Sequence, residues 1–428
     1  MTPPLRLGIA GLGTVGVGVV HIIRKHAALL EARTGRKITI SAVSARSRSK
    51  ERGVPLGDYA WEDDPVALAK RDDVDIFVEL MGGEDGPAKD AIEAAIAAGK
   101  DVVTANKALL AIHGHALALA AETGGRVIRY EAAVAGGIPV MKTLTEGLAG
   151  NNITRVMGVM NGTCNYILTQ MQATRQGYKA LFAEAEKLGY LEADPNLDVG
   201  GIDAGHKLAL LASVAFGTQV DFGAVDLEGI QAIKLEDIDA AHDMGYRIKL
   251  LGVAQMSGRG LEQRMSPCLV PSDSPLGQLE GGTNMVVIEG DAVGQIVLRG
   301  AGAGAGPTAS AVLSDVIDIA RGLRLPTFGQ PAATLIKAKS AMAAVPAPYY
   351  LRLQLVDKPG ALAKVAAVLG DAGVSIDRMR QYGHQNTAAP VLIVTHKVTR
   401  AALDAALTVM DKSIVQGDPV AIRIEKVD

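Results

Sequence analysis

Short apolar runs alternate with longer amphipathic stretches along the first 140 positions. That is the pattern of strands buried on both faces and joined by crossover helices. The runs Leu5–Ala10, Lys37–Val43, Val74–Leu80 and Asp101–Thr104 read as strands. Helical patterns fall between them, from Val15 to about Leu30 and from Pro87 to Ala98. Alternation of this kind predicts a parallel, doubly wound α/β sheet for residues 1–140. Residues 141–307 change character. Met285–Glu289 and Gln295–Leu298 alternate weakly around the turn Gly290-Asp-Ala, which suits a mostly antiparallel sheet in an α+β unit. After the linker Val345-Pro-Ala-Pro348, residues 349–428 read strand, helix, strand, strand, helix, strand, the split βαβ or ferredoxin-like pattern.

Composition narrows the class. A chain of 428 residues is long enough for two to three domains, and 48% hydrophobic with 21% charged residues is globular. A net charge of -3 without a basic block argues against nucleic acid and anionic membranes as partners. No apolar run reaches the ~18–20 residues of a membrane span, and Met1-Thr-Pro-Pro leads into a strand with no signal-peptide pattern. Cys164 and Cys268 are far apart, without metal-type spacing, and read as small core residues of a cytoplasmic protein.

The first strand runs directly into Gly11-Leu-Gly13-Thr-Val-Gly16, followed by a helix. Strand, G-x-G-x-x-G and helix together form the context of a dinucleotide site. Gly11 supplies the turn, Gly13 admits the pyrophosphate, Gly16 permits close packing, and the phosphates sit at the helix N-terminus. After the second strand, where an acidic residue would favour NAD, the chain offers Arg46, Arg48 and Lys50. Cations there suit a 2′-phosphate, so NADP is the expected cofactor and NAD the alternative. Thr104-Ala-Asn106-Lys107 lies past the end of a strand, where ligands gather in such sheets. Glu131, ahead of Gly136-Gly137, reads as a buried carboxylate in a loop whose carbonyls could face a cation.

The densest chemistry lies in Glu186–Ala212, with Glu192, Asp194, Asp198 and Asp203 close together and Lys207 four residues after the last. Gly200-Gly201 allows a tight turn before a helix, so Asp203 and Lys207 share one helical face. Leu208, Leu210, Leu211, Val214 and Phe216 make that helix apolar on nearly every side, hence buried. A surface ion pair worth a few tenths of a kcal/mol does not fit such burial. A calcium loop beginning Asp194-x-Asn196-x-Asp198 fails at Val199, where glycine is needed, and at Gly205, where a bidentate glutamate is needed. What remains is a site that receives an ammonium group and moves a proton.

GLGTVG, TANKALL, EAAVAGGIPV, NGTCNYIL and LEADPNLDVGGIDAGHKL resemble homoserine dehydrogenases, in order and at compatible spacings over residues 1 to about 340. The resemblance implies NAD(P)H-dependent, reversible reduction of L-aspartate 4-semialdehyde to L-homoserine. It makes Lys207 the proton donor and acceptor, places Asp203 beside it, and gives Lys107 a second essential role near the nicotinamide. Glu192 and Asp198 would line the substrate pocket, with Glu192 holding the amino acid. Gly11, Gly13, Thr14, Val15, Gly16, Arg46, Lys50, Thr104, Lys107 and Gly304 are the expected cofactor contacts. Glu131, Val134, Gly136 and Ile138 match a loop that holds a monovalent cation such as sodium through main-chain oxygens. The helix near 308–322, continuing to about 335, resembles one that returns to the nucleotide domain. Cys164 stands where the family commonly has Thr, and Gly300–Gly306 replaces a GPGAGG-type turn. Asp357-Lys-Pro-Gly360 resembles the ACT domain, a regulatory amino-acid-binding module, for which L-threonine is the expected effector. A homodimer or homotetramer is expected by the same resemblance. The competing readings are a reductase of another small semialdehyde or hydroxy acid, and a non-catalytic amino-acid sensor.

Overall fold

The computed structural model describes residues 2–191, 194–341, 345–381 and 388–426. Six strands form the first sheet: β1 (Leu5–Ala10), β2 (Ile38–Ser44), β3 (Ala60–Glu62), β4 (Ile76–Glu79), β5 (Asp101–Thr104) and β6 (Ile128–Arg129). They run parallel in the order β3-β2-β1-β4-β5-β6, the doubly wound arrangement expected from the alternating pattern. The order reverses between β1 and β4, and the crevice beyond their carboxyl ends is the place for a ligand.

Local boundaries differ from the sequence reading in three places. The first helix stops at Lys25, and a second runs from Ala27 to Thr34 after a break at His26. Nothing in the sequence explains that break. β4 is shorter than Val74–Leu80, because Val74 N–H closes a turn onto Arg71. The returning helix spans Ala305–Ala320 rather than starting at Thr308. Pro307 lies in its first turn, where a missing N–H costs no intrahelical bond. The helix does not continue toward 335: Arg321–Pro331 is irregular, and Ala332–Thr334 forms only one 3-10 turn.

The second sheet holds ten strands among the described residues. The substrate-side strands are β7 (Ile153–Val159), β8 (Asp226–Leu227), β9 (Tyr246–Ser257), β10 (Gly260–Pro271), β11 (Thr283–Gly290) and β12 (Gly294–Ala301). The neighbours β12-β11-β7-β9-β10 are antiparallel throughout. Glu289 pairs with Gln295 across the expected Asp291-Ala292 hairpin. The last strands, β13 (Tyr349–Val356), β14 (Ile376–Gln381), β15 (Ala388–Thr395) and β16 (Val415–Ile424), lie in the order β16-β13-β15-β14 with helices Ala361–Asp371 and Arg400–Thr408. That is the ferredoxin-like order.

The C-terminal module was expected to stand apart behind a proline linker. Its sheet instead continues the other one, because β16 pairs parallel with β10 at Cys268–Arg423 and Leu269–Ile424. Helix Leu235–Asp243 supports the junction from one face, where buried Asp237 takes two bonds from Arg352 at 2.6 and 3.2 Å.

The helix Ile202–Phe216 is buried along nearly its whole length, as its apolar composition requires. It packs on β7, β9, β10 and the helix Lys107–Thr123. The two helix starts that carry Asp203 and Lys107 therefore face each other across the gap between the sheets.

Candidate active site

Gly201 adopts a left-handed φ of 81° and starts the helix Ile202–Phe216. Asp203 then falls in the first turn and Lys207 one turn later, on the same face. Lys207 Nζ donates to Asp203 Oδ2 at 2.6 Å and to the Met160 carbonyl at 2.9 Å. Lys107 Nζ stands 2.8 Å from the other carboxylate oxygen, Oδ1. One carboxylate thus holds two ammonium groups. Burial by itself would push the Asp203 carboxyl upward, but the Lys207 and Lys107 charges outweigh it and hold the group well below the usual carboxylate range. Next door, burial and the same two lysines lower His206, whose ring lies 4.1 Å from that of Phe222.

Lys107 begins its helix because Asn106 caps it, with Asn106 Oδ1 accepting the Leu109 N–H at 3.2 Å. Asn106 is in turn held by Glu79 at the end of β4. Glu79 accepts Met81 N–H at 2.6 Å, Gly82 N–H at 3.1 Å and the Thr104 hydroxyl at 2.6 Å. The Thr104 oxygen accepts Asn106 N–H at 2.9 Å, and Asn106 Nδ2 donates to the Gly83 carbonyl at 2.7 Å. Burial raises the Glu79 carboxyl even against these donors. The sequence reading passed over Glu79 and Asn106. The signal for Glu79 was a carboxylate ending an apolar strand three residues ahead of Gly82-Gly83.

These groups open into a cleft of about 530 Å³. Val15, Lys107, Gly136, Asp198, Asp203, Lys207 and Gly304 line it, so both ends of the chain's chemistry meet in one place. Asp198 is buried and accepts Asn161 Nδ2 at 3.0 Å, while Asn161 Oδ1 caps the helix Gly162–Thr174. Asp194 caps the short helix Pro195–Val199. Burial, and then the Asp198 and Asp203 charges, push the Cys164 thiol up, which keeps it inert. Asn284 was also missed. Its Oδ1 is buried without a hydrogen-bond partner among the described residues, and it lines the cleft. Glu192 lies outside the described residues.

The glycine-rich turn fits a dinucleotide. A Cβ on Gly11 (φ 99°) would stand 2.3 Å from the Leu80 carbonyl, and one on Gly16 would stand 2.0 Å from the Gly11 carbonyl. Gly16 thus packs on the turn itself rather than on a strand. A Cβ on Gly13 would meet nothing within 4 Å, leaving open space where a pyrophosphate would approach. Thr14 and Val15 start the first helix, and Gly304 starts the returning one, so two helix N-termini meet at this crevice. Arg46 and Lys50 are exposed on the loop after β2. Arg52, unremarked in the sequence, braces that loop by donating to Leu12, Lys50 and Ser47 carbonyls at 3.1, 2.7 and 2.6 Å. Thr104 is fully buried with its hydroxyl donated to Glu79, so its side chain braces the end of β5.

Glu131, Val134 and Ile138 are buried, and Gly136 turns with a φ of 55°. The Glu131 carboxylate is committed to Met141 N–H at 3.0 Å and Lys142 N–H at 2.8 Å. Burial, with the Asp315 charge alongside, raises it to about 7. Among the described residues no group of three His, Cys, Asp or Glu could hold a metal, so a cation here would need main-chain oxygens.

Comparison with known proteins gives the same reading. The homoserine dehydrogenase catalytic-domain family matches residues 139–317, its NAD-binding domain residues 11–131, and the ACT domain residues 349–414. The homoserine dehydrogenase of Neisseria gonorrhoeae is 42% identical over 431 residues, covering 99% of each chain. That of Pseudomonas aeruginosa is 40% identical, over 99% of this chain and 100% of its own. The crystal structure of a homoserine dehydrogenase from Thiobacillus denitrificans superposes with a TM-score of 0.93 at 38% identity, over 99% of this chain and 98% of that one. A hyperthermophilic archaeal homoserine dehydrogenase in complex with NADPH matches 76% of this chain and 99% of its own, with a TM-score of 0.65 at 27% identity. The chain belongs to the homoserine dehydrogenase family, as an oxidoreductase with a nicotinamide-binding domain and a C-terminal ACT domain.

Proposed function

We propose that Lys207 moves the proton in the interconversion of L-aspartate 4-semialdehyde and L-homoserine, with Asp203 holding its charge and Lys107 opposite. The observation that carries this is the single buried carboxylate shared by two lysines at 2.6 and 2.8 Å on a cleft that also reaches the dinucleotide turn. When bound, the nicotinamide supplies the hydride to the aldehyde carbon. Lys207, held by Asp203 and the Met160 carbonyl, donates a proton to the oxygen that becomes the homoserine hydroxyl. Asp198, with Glu192, receives the substrate's α-ammonium. Lys107 fixes the outer edge of Asp203 and stands beside the reacting groups.

NADP is the proposed preference, supported by the exposed Arg46 and Lys50. The loop Glu131–Ile138 is the proposed seat of a monovalent cation such as sodium. L-threonine is the proposed effector of the ACT domain, and the active form is a homodimer or homotetramer. The domains divide at 1–140, with the helix Ala305–Ala320 returning to it, 141–307 and 349–428.

The direction of proton transfer sets a pH dependence. A protonated lysine donates during reduction, whereas homoserine oxidation needs the neutral amine. Oxidation should therefore climb as pH rises toward alkaline values, and a flat profile would remove Lys207 from the role. The deciding assay follows L-homoserine-dependent reduction of NADP and of NAD, with and without L-threonine. Absence of turnover with either cofactor would reject the activity.

A further inference from the structure

The helix Gly162–Thr174 meets the catalytic cleft at its start and is gripped from behind at Asn165. Asn161, Gly162 and Thr163 line the cleft, and Gly282 lines it from the connection between β10 and β11. These two walls meet backbone to backbone, since a Cβ on Gly162 would stand 2.6 Å from the Gly282 carbonyl. The place of Gly282 against the helix therefore sets the width of the cleft beside Asp198, which Asn161 holds at 3.0 Å.

The hold on Gly282 comes from the next residues. Asn165, 1% exposed, donates from Nδ2 to the Gly281 carbonyl at 2.7 Å and to the Leu279 carbonyl at 3.4 Å. Its Oδ1 accepts Lys249 Nζ from β9 at 3.0 Å, and Lys249 donates to the Leu279 carbonyl as well. Helix, strand and connection thus meet at one buried node.

Lys249 is an unexpected residue for that node. It is 4% exposed, and both of its acceptors are neutral oxygens. Leu251 and Val253, the next positions on the same face of β9, are buried and cluster with Leu276 and Leu279. A buried ammonium carries a desolvation penalty that an apolar side chain such as methionine would avoid. Burial, and then Arg247 two residues earlier on β9, lower Lys249 to about 8, while Glu280 pulls the other way. Cys268, paired with Lys249 across the strands, is a thiol pushed up by burial and brings no charge. What an ammonium adds at this position is grip, because charge-assisted hydrogen bonds are about twice as strong as neutral ones.

We propose that Lys249 is a positioning residue for homoserine: its ammonium, acting through Asn165 and the Leu279 carbonyl, holds Gly281 and Gly282 at the distance from Asn161 and Asp198 that fits the amino acid. The inference rests on the reading that Asp198 receives the substrate's α-ammonium. It gives the fit of the substrate a pH dependence separate from proton transfer by Lys207. The grip is full below about pH 8 and weakens above it, as Lys249 loses its proton.

The test compares KM and kcat for homoserine oxidation in the full-length enzyme at pH 7 and pH 9. Ratios of variant to wild type are read, so that titration of the substrate's own ammonium cancels. Lys249→Met should raise the KM for homoserine about tenfold at pH 7 and about threefold at pH 9, with kcat and the KM for NADP within about twofold. Asn165→Leu should reproduce the rise at pH 7, and the double variant should add little to either. Arg247→Gln, which keeps the node and removes the opposing cation, should match wild type at pH 7 and show a lower KM than wild type at pH 9. That variant decides the matter if Lys249→Met does not fold. A KM ratio near one at pH 7 overturns the role of Lys249 and leaves the substrate reading standing. A tenfold ratio that is equal at both pH values, or an Arg247→Gln enzyme that follows wild type throughout, shows that only the shape of the side chain matters and overturns it too. A rise in the KM for NADP in place of homoserine overturns both the role and the placement of the substrate beside Asp198.

Discussion

Asp203 and Glu131 are both carboxylates with almost no exposure, and burial pushes both upward. They end at opposite extremes. Asp203 faces two ammonium groups and stays well below the ordinary range. Glu131 faces two backbone N–H groups and a neighbouring acid, Asp315, and rises to about 7. The nearest lysine does not rescue it, because Lys142 Nζ is drawn to Asp318 and Asp315. Depth of burial therefore says little about a buried acid. The sign of the charges placed against it decides whether it is a permanent anion or a group that titrates near neutrality.

The largest way to break this contrast is to remove a cation from Asp203. Lys207→Ala should lower turnover by roughly 10²–10⁴ while Lys107 still holds the carboxylate in place. Lys207→Arg should keep the fold, judged by its melting temperature, and recover little of the rate, because guanidinium does not give up its proton. Near-normal turnover in either variant would show that Asp203 and Lys207 are only a structural pair.

Glu79 is the intermediate case, a buried acid facing neutral donors and acting on the site at one remove. Glu79→Gln keeps the shape but exchanges one of the two oxygens that accept from Met81, Gly82 and Thr104 for an amide nitrogen. Turnover should fall by about tenfold or more, from a looser Asn106 and Lys107. Because Lys107 is proposed to stand beside the reacting groups, kcat should move more than the KM for homoserine, and a purely structural Glu79 would change the melting temperature alone.

The smallest effect concerns Glu131. Its folded-state value lies above the ordinary 4.5, so its contribution to stability is full below about 4.5 and is lost as pH rises through about 7. Asp203 behaves in the opposite sense, contributing above its ordinary range and losing that as acid is added. Glu131→Gln should flatten the melting-temperature profile between about pH 4.5 and pH 7. An unchanged slope would mean that the carboxylate is ionised throughout.

Local geometry explains which of these features the sequence could announce. Asp203 and Lys207 sit one helical turn apart, so their spacing and the apolar residues after them were enough. The Gly11–Gly16 turn, the parallel sheet and the ferredoxin-like order were legible for the same reason, since each is written in contiguous residues. Lys107 and Asp203 belong to separate helices, and only the rule about strand ends and the family resemblance drew attention to Lys107. Glu79, Asn106, Asn284 and Arg52 act through long-range hydrogen bonds or a buried position and leave no periodic trace. Nor could the pairing of β16 with β10 be read, because two residues of parallel register impose no pattern on either strand.

That short pairing bears on how the enzyme could be dismantled. A chain cut before Tyr349 would not simply lose an appendage. It would strip one border of β10 of its hydrogen-bonded neighbour at Cys268 and Leu269, and leave Asp237 without its guanidinium. A bare sheet border invites strand addition from other molecules, and a stranded buried anion strongly destabilises the helix that bears it. Removing the C-terminal module would thus leave an open strand border and an unpaired buried charge on the part of the protein that carries the active site.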